Sequence, residues 1–161
     1  MKKLILILGI LFLSCFVLTS LSFAQHSHGG MSMGTSMEMD TREVLVEGVK
    51  VVFQIMPNEA HKKMLNEMKM KKEEVEPGTT HNITVTLKDE KTQKEIADGQ
   101  INMKLIDPKG KDQIKALKYE EMMKSYDAYF NLPEKGKYQV MVLFKVGDKK
   151  PIPAGTYYEI K

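Results

Sequence analysis

LPEKGKYQVMVLFKV, residues 132–146, decides how the rest of the chain is read. Pro133 and Gly136 make its first half a turn signal, because proline presets one backbone angle and glycine accepts conformations other residues avoid. The second half alternates. Tyr138, Val140, Val142 and Phe144 fall on one face of a strand over 137–146, and a period of two is the signature of a half-buried strand.

The same period recurs on either side. In HNITVTLKD (81–89), Ile83, Val85 and Leu87 share a face, and His81 stands at its end. In GQINMKLIDPKGK, Ile101, Met103 and Leu105 alternate with Asn102 and Lys104, and 107–111 is a turn. Further strands are expected over 113–118 and 126–132, with 119–125 as a loop or helical turn and GTYYEIK closing the chain. Upstream, EVLVEGVKVVFQIM (43–56) is valine-rich and interrupted by Gly48, which predicts either a bulged strand or a tight hairpin. Short strands with turn signals every 8 to 12 residues or so indicate an all-β antiparallel sandwich or barrel. Met103 and Met141 sit in strands and read as packing residues.

One segment breaks the pattern. In NEAHKKMLNEMKMKKEEV (58–75), His61, Met64, Leu65 and Met68 follow the i, i+3, i+4, i+7 spacing of a helical face. Asn58 is the expected N-cap, Glu59 lies in the first turn, and Pro77-Gly78 ends the segment. A short inserted helix over 58–75 is predicted.

The strands carry a resemblance. Gly136 two residues before Tyr138, at the start of the penultimate strand, resembles the tyrosine corner of immunoglobulin-like sandwiches, where the hydroxyl bonds to upstream backbone. With HNITVTLKD, IADGQINMKLIDPKGK, YDAYFNLPEKGKYQVMVLF and the YYEIK ending, residues 80–161 resemble the YtkA-like secreted domains, small immunoglobulin-like sandwiches of exported bacterial proteins. The resemblance implies an exported accessory protein, in several relatives tied to heavy metals or copper. A cupredoxin-like sandwich fits the same pattern. The methionine-rich segment 56–75 lies outside the resemblance.

The front of the chain reads differently. MKKLILILGILFLSCFVLTSLSFAQ has a basic start at Lys2 and Lys3, an apolar run over 4–13, and small residues at Ser22 and Ala24. A secretory signal peptide over 1–24 is predicted, with lipid anchoring at Cys15 as the alternative. The expected location is therefore periplasmic or secreted, with no membrane span left after cleavage. Removing it from 161 residues leaves 137, with 22 basic side chains against 21 acidic, no cysteine, all four histidines and 12 of the 13 methionines. Near-neutral charge gives no reason to expect a nucleic-acid partner, and an exported chain without cysteine must rely on its core. The size fits one domain, expected over 43–161.

Residues 25–42 contain HSHGGMSMGTSMEMD, which lacks leucine, isoleucine, valine and aromatic residues and predicts a disordered leader. Six soft or borderline ligands fall in these fifteen positions: His26, His28, Met31, Met33, Met37 and Met39. Thioether sulfur selects Cu(I), and imidazole suits copper and zinc. Thioether has no proton to lose and forms no disulfide, so it serves where free thiols are oxidised. Two further groups are candidates: His61, Met64 and Met68 on the helix, and His81 with Met122 and Met123, expected at one end of the sandwich. Packing rivals each of these, since methionine is an adaptable filler.

Other chemistries are less well supported. No phosphate loop, nucleophile elbow or H-E-x-x-H helix is present, and no enzyme is expected. A blue-copper site needs a cysteine thiolate, and structural zinc is disfavoured because only four histidines exist and two of them are in the leader. The expectation is exchangeable binding of copper, as Cu(I), by a carrier or buffer that does not need the metal to fold. An envelope protein is the expected transfer partner. The alternative is a non-catalytic envelope interaction module whose methionine-rich helix docks onto a partner.

Overall fold

The computed structural model describes residues 39–70 and 74–161. The signal peptide expected over 1–24 and the expected leader up to Glu38 lie outside them. Among the described residues, nine strands and one helix follow in the order β1 (Asp40–Val46), β2 (Val49–Pro57), α1 (Asn58–Glu67), β3 (His81–Asp89), β4 (Gly99–Ile106), β5 (Asp112–Ala116), β6 (Lys118–Glu120), β7 (Ser125–Phe130), β8 (Gly136–Val146) and β9 (Ile152–Ile160). They form an antiparallel β-sandwich. One sheet has the order β1-β2-β3-β7-β6, the other β5-β4-β8-β9.

Gly48 resolves as a tight hairpin. Val46 pairs with Val49 across Glu47 and Gly48, whose φ values of 48° and 76° give the two-residue turn that matches strand twist. Alternation then fills the space between the sheets. Val51, Phe53, Ile55, Ile83, Val85 and Leu87 from one sheet meet Met103, Leu105, Tyr138, Val140, Val142 and Phe144 from the other, all buried. Met103 is core, as its strand position predicts, while Met141 is half-buried on the opposite face of its strand. The tyrosine corner is present. Tyr138 Oη accepts from the Glu134 N–H and donates to the Glu134 carbonyl, both at 2.8 Å.

Three expectations are corrected. The helix ends at Glu67, not near residue 75. Lys69 takes φ 54°, its N–H donates to the Asn66 carbonyl, and the Met70 N–H donates to the Leu65 carbonyl, a Schellman stop. Asn58 is not the N-cap. Pro57 holds that position. Asn58 is the first helical residue and ties the helix to the segment ahead of β3, through its backbone N–H to the Thr80 carbonyl (2.9 Å) and its side-chain amide to the Thr79 carbonyl (3.0 Å). The strand expected over 113–118 is two. β5 pairs with β4 and β6 with β7, so the chain changes sheet at Leu117, which is buried and donates its N–H to the Ile101 carbonyl.

Candidate metal centre

Alternation along β3 places His81 on the inner face, at the end of the strand. It lies opposite Pro57 on β2 and Phe130 on β7. The chain enters β1 at the same end, since Asp40 pairs with Ile55. The last residues of β9 close the third side. Between them lies an open cleft of about 610 Å³ whose walls include Met39, Pro57, His81 and Tyr158. The structure therefore brings together two residues that the sequence assigns to separate groups, Met39 of the leader and His81 of β3.

The surroundings of His81 orient its ring. Nδ1 lies 2.8 Å from Thr80 Oγ1, and that oxygen also accepts the Leu132 N–H at 2.8 Å. The Tyr158 ring meets the imidazole edge-on, with centroids 5.8 Å apart and planes at 67°. His81 is nearly buried and Met39 is 41% exposed, so the cleft runs from solvent to the edge of the core. Asp40, also in the wall, is held by Arg42 through contacts of 2.7 and 2.9 Å. The same hydrogen bond raises the Arg42 guanidinium above its ordinary value. The wall thus presents the soft donors of Met39 and His81 beside carboxylate oxygens of Asp40 and Glu159.

The helical group is divided between environments. His61 and Leu65 face the outer surface of the five-stranded sheet and are buried, Met64 is half-buried, and Met68 is 51% exposed. His61 Nδ1 lies 3.1 Å from Tyr129 Oη, and the two rings meet edge-on at 5.6 Å. Beside them Asn82 donates to Asp127 (2.9 Å) and Thr84 donates to Asn82 (3.0 Å). Burial pushes the His61 pKa down, and the charge of Asp127 opposes that shift. His61 is thus part of a polar layer between helix and sheet. Met56 is buried on the same outward-facing side of β2.

Met122 and Met123 do not join His81. They lie in the turn between β6 and β7, and β7 runs antiparallel to β3 with Val85 opposite Tyr126 and His81 opposite Phe130. The turn is consequently at the far end of the sandwich, next to the Lys124–Glu95 ion pair at 3.7 Å. Met122 is 66% exposed there. His26, His28, Met31, Met33 and Met37 lie outside the described residues. Among the described residues, no three His, Cys, Asp or Glu side chains gather into a metal-binding group.

Sequence reasoning missed the residues that hold the two histidines, Thr80 and Tyr158 around His81 and Tyr129 against His61. Tyr158 and Tyr129 look like ordinary strand aromatics, and only the register between strands shows what they touch.

No protein-family model matches the chain, and no curated protein matches it. Solved structures do. FetP of uropathogenic Escherichia coli strain F11, recombinantly expressed in the E. coli periplasm, is similar with a TM-score of 0.60 at 9% identity, covering 78% of this chain and 97% of its own. A copper-bound variant of the same FetP is similar with a TM-score of 0.57 at 10% identity, covering 75% and 95%. A DUF4426 family protein from Pseudomonas aeruginosa PAO1 gives a TM-score of 0.53 at 10% identity, covering 74% and 94%. These likenesses show the β-sandwich fold, which is the part of the YtkA-like resemblance they support. No helix among the described residues is long and apolar enough to cross a membrane.

Proposed function

We propose that this chain is an exported copper-binding protein that carries or buffers Cu(I) through methionine and histidine. The observation that carries the reading is the shared cleft of Met39 and His81. The ligand-rich leader is continuous with Met39, so its donors are tethered to the rim where the folded domain offers a histidine. Neutral thioether and imidazole donors favour a soft monovalent ion and hold it exchangeably, as transfer requires. The FetP fold, seen with copper in one variant, lends support at the level of architecture. Copper is cargo here. In this reading folding does not depend on it. The site of action is the periplasm or the exterior, and the partner is an envelope protein that gives or takes the ion.

The docking alternative is less well supported. A helix that docks onto a partner needs an unspent apolar face, and α1 spends His61 and Leu65 on its own sheet. The test is a Cu(I) competition titration of the exported protein beside a variant with every leader methionine changed to leucine. Leucine keeps apolar volume and removes the sulfur lone pairs. Weaker binding in the variant supports the carrier. Equal binding ends it, and leaves the methionines as packing or contact residues.

A further inference from the structure

We propose that the folded domain is a reversible sink for hypohalous acids, its surface methionines converting to sulfoxides while the fold stands. The inference is independent of the copper reading and takes up methionines which that reading leaves aside. Methionine is among the residues most often fully buried. Here, of the nine methionines among the described residues, Met56 and Met103 are buried and seven reach solvent. Met39, Met68 and Met122 are 41%, 51% and 66% exposed. They stand apart. Met39 precedes β1, Met68 follows α1, and Met122 lies in the β6–β7 turn, at the other end of the sandwich from Met39. Met141 adds a half-buried thioether on the outer face of the β5-β4-β8-β9 sheet. Side chains so dispersed do not converge on one ion, and those that are exposed do not fill the core.

Composition and chemistry agree with this placement. Hypochlorous acid gives an electrophilic chlorine to the thioether lone pair, and water then displaces chloride from sulfur. The thioether and the acid become sulfoxide, chloride and a proton, so sulfur loses the two electrons that chlorine gains. Thiols react faster still, and indole is destroyed irreversibly. The chain has no tryptophan, and its one cysteine, Cys15, lies in the expected signal peptide. Thioethers are therefore the fastest-reacting side chains of the folded domain. Tyr126, Tyr129 and Tyr138, whose ring chlorination is not undone, are buried. Methionine sulfoxide, by contrast, is reduced back by dedicated reductases. The lesion also leaves the core alone. On an exposed side chain the sulfoxide stays in water, whereas on Met103, between the sheets, or on Met56, on the helix side of β2, it would bury an unpaired polar group. Met68 serves the end of α1 through its backbone N–H, which donates to the Met64 carbonyl at 3.0 Å, so oxidation of its sulfur leaves that stop intact.

The experiment treats the exported full chain, stripped of metal by a chelator, with graded hypochlorous acid at neutral pH and maps sulfoxides by peptide mass spectrometry. Met39, Met68 and Met122 are expected among the first sites and Met56 and Met103 last, with the thermal midpoint within about 2 °C of the untreated protein while the surface set reacts. Methionine sulfoxide reductases of both epimer specificities then restore the original mass. In a variant combining Met39→Leu, Met68→Leu and Met122→Leu, each lost thioether leaves one more equivalent of oxidant titratable by iodide, held as lysine chloramine. All three positions are exposed, so the variant keeps the fold, and the wild-type map needs no variant at all. Oxidation of Met56 or Met103 within the first equivalents, tyrosine chlorination ahead of sulfoxide, or a midpoint that falls with the first sulfoxides overturns the inference. So does a leucine variant that quenches as much oxidant as the parent. The metal-free protein is used throughout, so failure here leaves the carrier reading standing, and failure of the Cu(I) titration leaves this one.

Discussion

Tyr138→Phe removes one oxygen atom and, with it, two hydrogen bonds. In the folded chain the hydroxyl accepts from the Glu134 N–H and donates to the Glu134 carbonyl, both at 2.8 Å. The Tyr138 ring is fully buried, so phenylalanine keeps its packing and leaves a backbone donor and acceptor unpaired at the turn. Burial also raises the Tyr138 phenol pKa, so the hydroxyl remains a donor at and above neutral pH. A made hydrogen bond contributes about 1 kcal/mol net, and an orphaned buried group costs about 1–3 kcal/mol. The two groups here are only part-buried, which puts the loss near 2 kcal/mol. In a domain of this size that lowers Tm by roughly 6–10 °C, since each kcal/mol is worth about 3–5 °C. Urea unfolding should show the midpoint falling by about 1 M with an unchanged slope. Tyr126→Phe is a matched case on the other sheet, because its hydroxyl accepts from the Gly99 N–H at 2.8 Å and donates to the Ile96 carbonyl at 3.0 Å. A Tyr138→Phe protein within about 0.3 kcal/mol of the parent would refute the reasoning, because it would mean that the hydroxyl bridges nothing of consequence.

Burial holds the His61 pKa below its ordinary 6.5, so the folded chain binds this proton less readily than the unfolded one. The His61 contribution is therefore intact above about 6.5 and is lost as pH falls from there toward the folded value; denaturant midpoints should drop between pH 7.5 and pH 5, and His61→Phe should flatten that drop, an equal slope in the variant counting against it. Gly136→Ala should cost about 1–3 kcal/mol in thermal unfolding, because an alanine at this backbone conformation is strained. The glycine sits at φ 119° and an added Cβ would meet Pro108 Cγ at 3.0 Å, so an unchanged Tm would show that the turn relaxes. Changing Met122 and Met123 together to leucine should leave the Cu(I) titration as it was, and a weakened first equivalent would bring the far end of the sandwich into the site.

Period two located most strands because burial of one face is a local property of each strand. HNITVTLKD and KYQVMVLFKV are read directly, and so is the tyrosine corner, whose partners lie four residues apart. Two boundaries were illegible for definite reasons. The helix stop uses Lys69 in the left-handed conformation that glycine usually takes, and the residues beyond it keep a helical composition. The sheet change at Leu117 is hidden because β5 turns Gln113 and Lys115 toward the inner face and leaves Ile114 65% exposed, so hydrophobicity does not mark its inner side. What separates β5 from β6 is pairing with β4 or with β7, a choice made between strands distant in sequence.

The site divides along the same line. Candidate ligand type is composition, and the proposal for the histidines and methionines of HSHGGMSMGTSMEMD needs no fold to be stated. Ligand placement depends on register. Asp40 opposite Ile55 and Pro57 opposite His81 carry Met39 and His81 to one end of three consecutive strands, and Val85 opposite Tyr126 sends Met122 to the other. Position at a strand end also has an electrostatic consequence. An ion held by neutral donors adds a full positive charge, and that charge is costly within an apolar core but modest in an open cleft at its margin. His81 is the first inward residue of β3, at the strand's cleft end, so it reaches the cleft while its neighbours Ile83 and Val85 stay in the core. A histidine two positions further along that face would sit where the core requires an apolar side chain, and would trade metal access for stability.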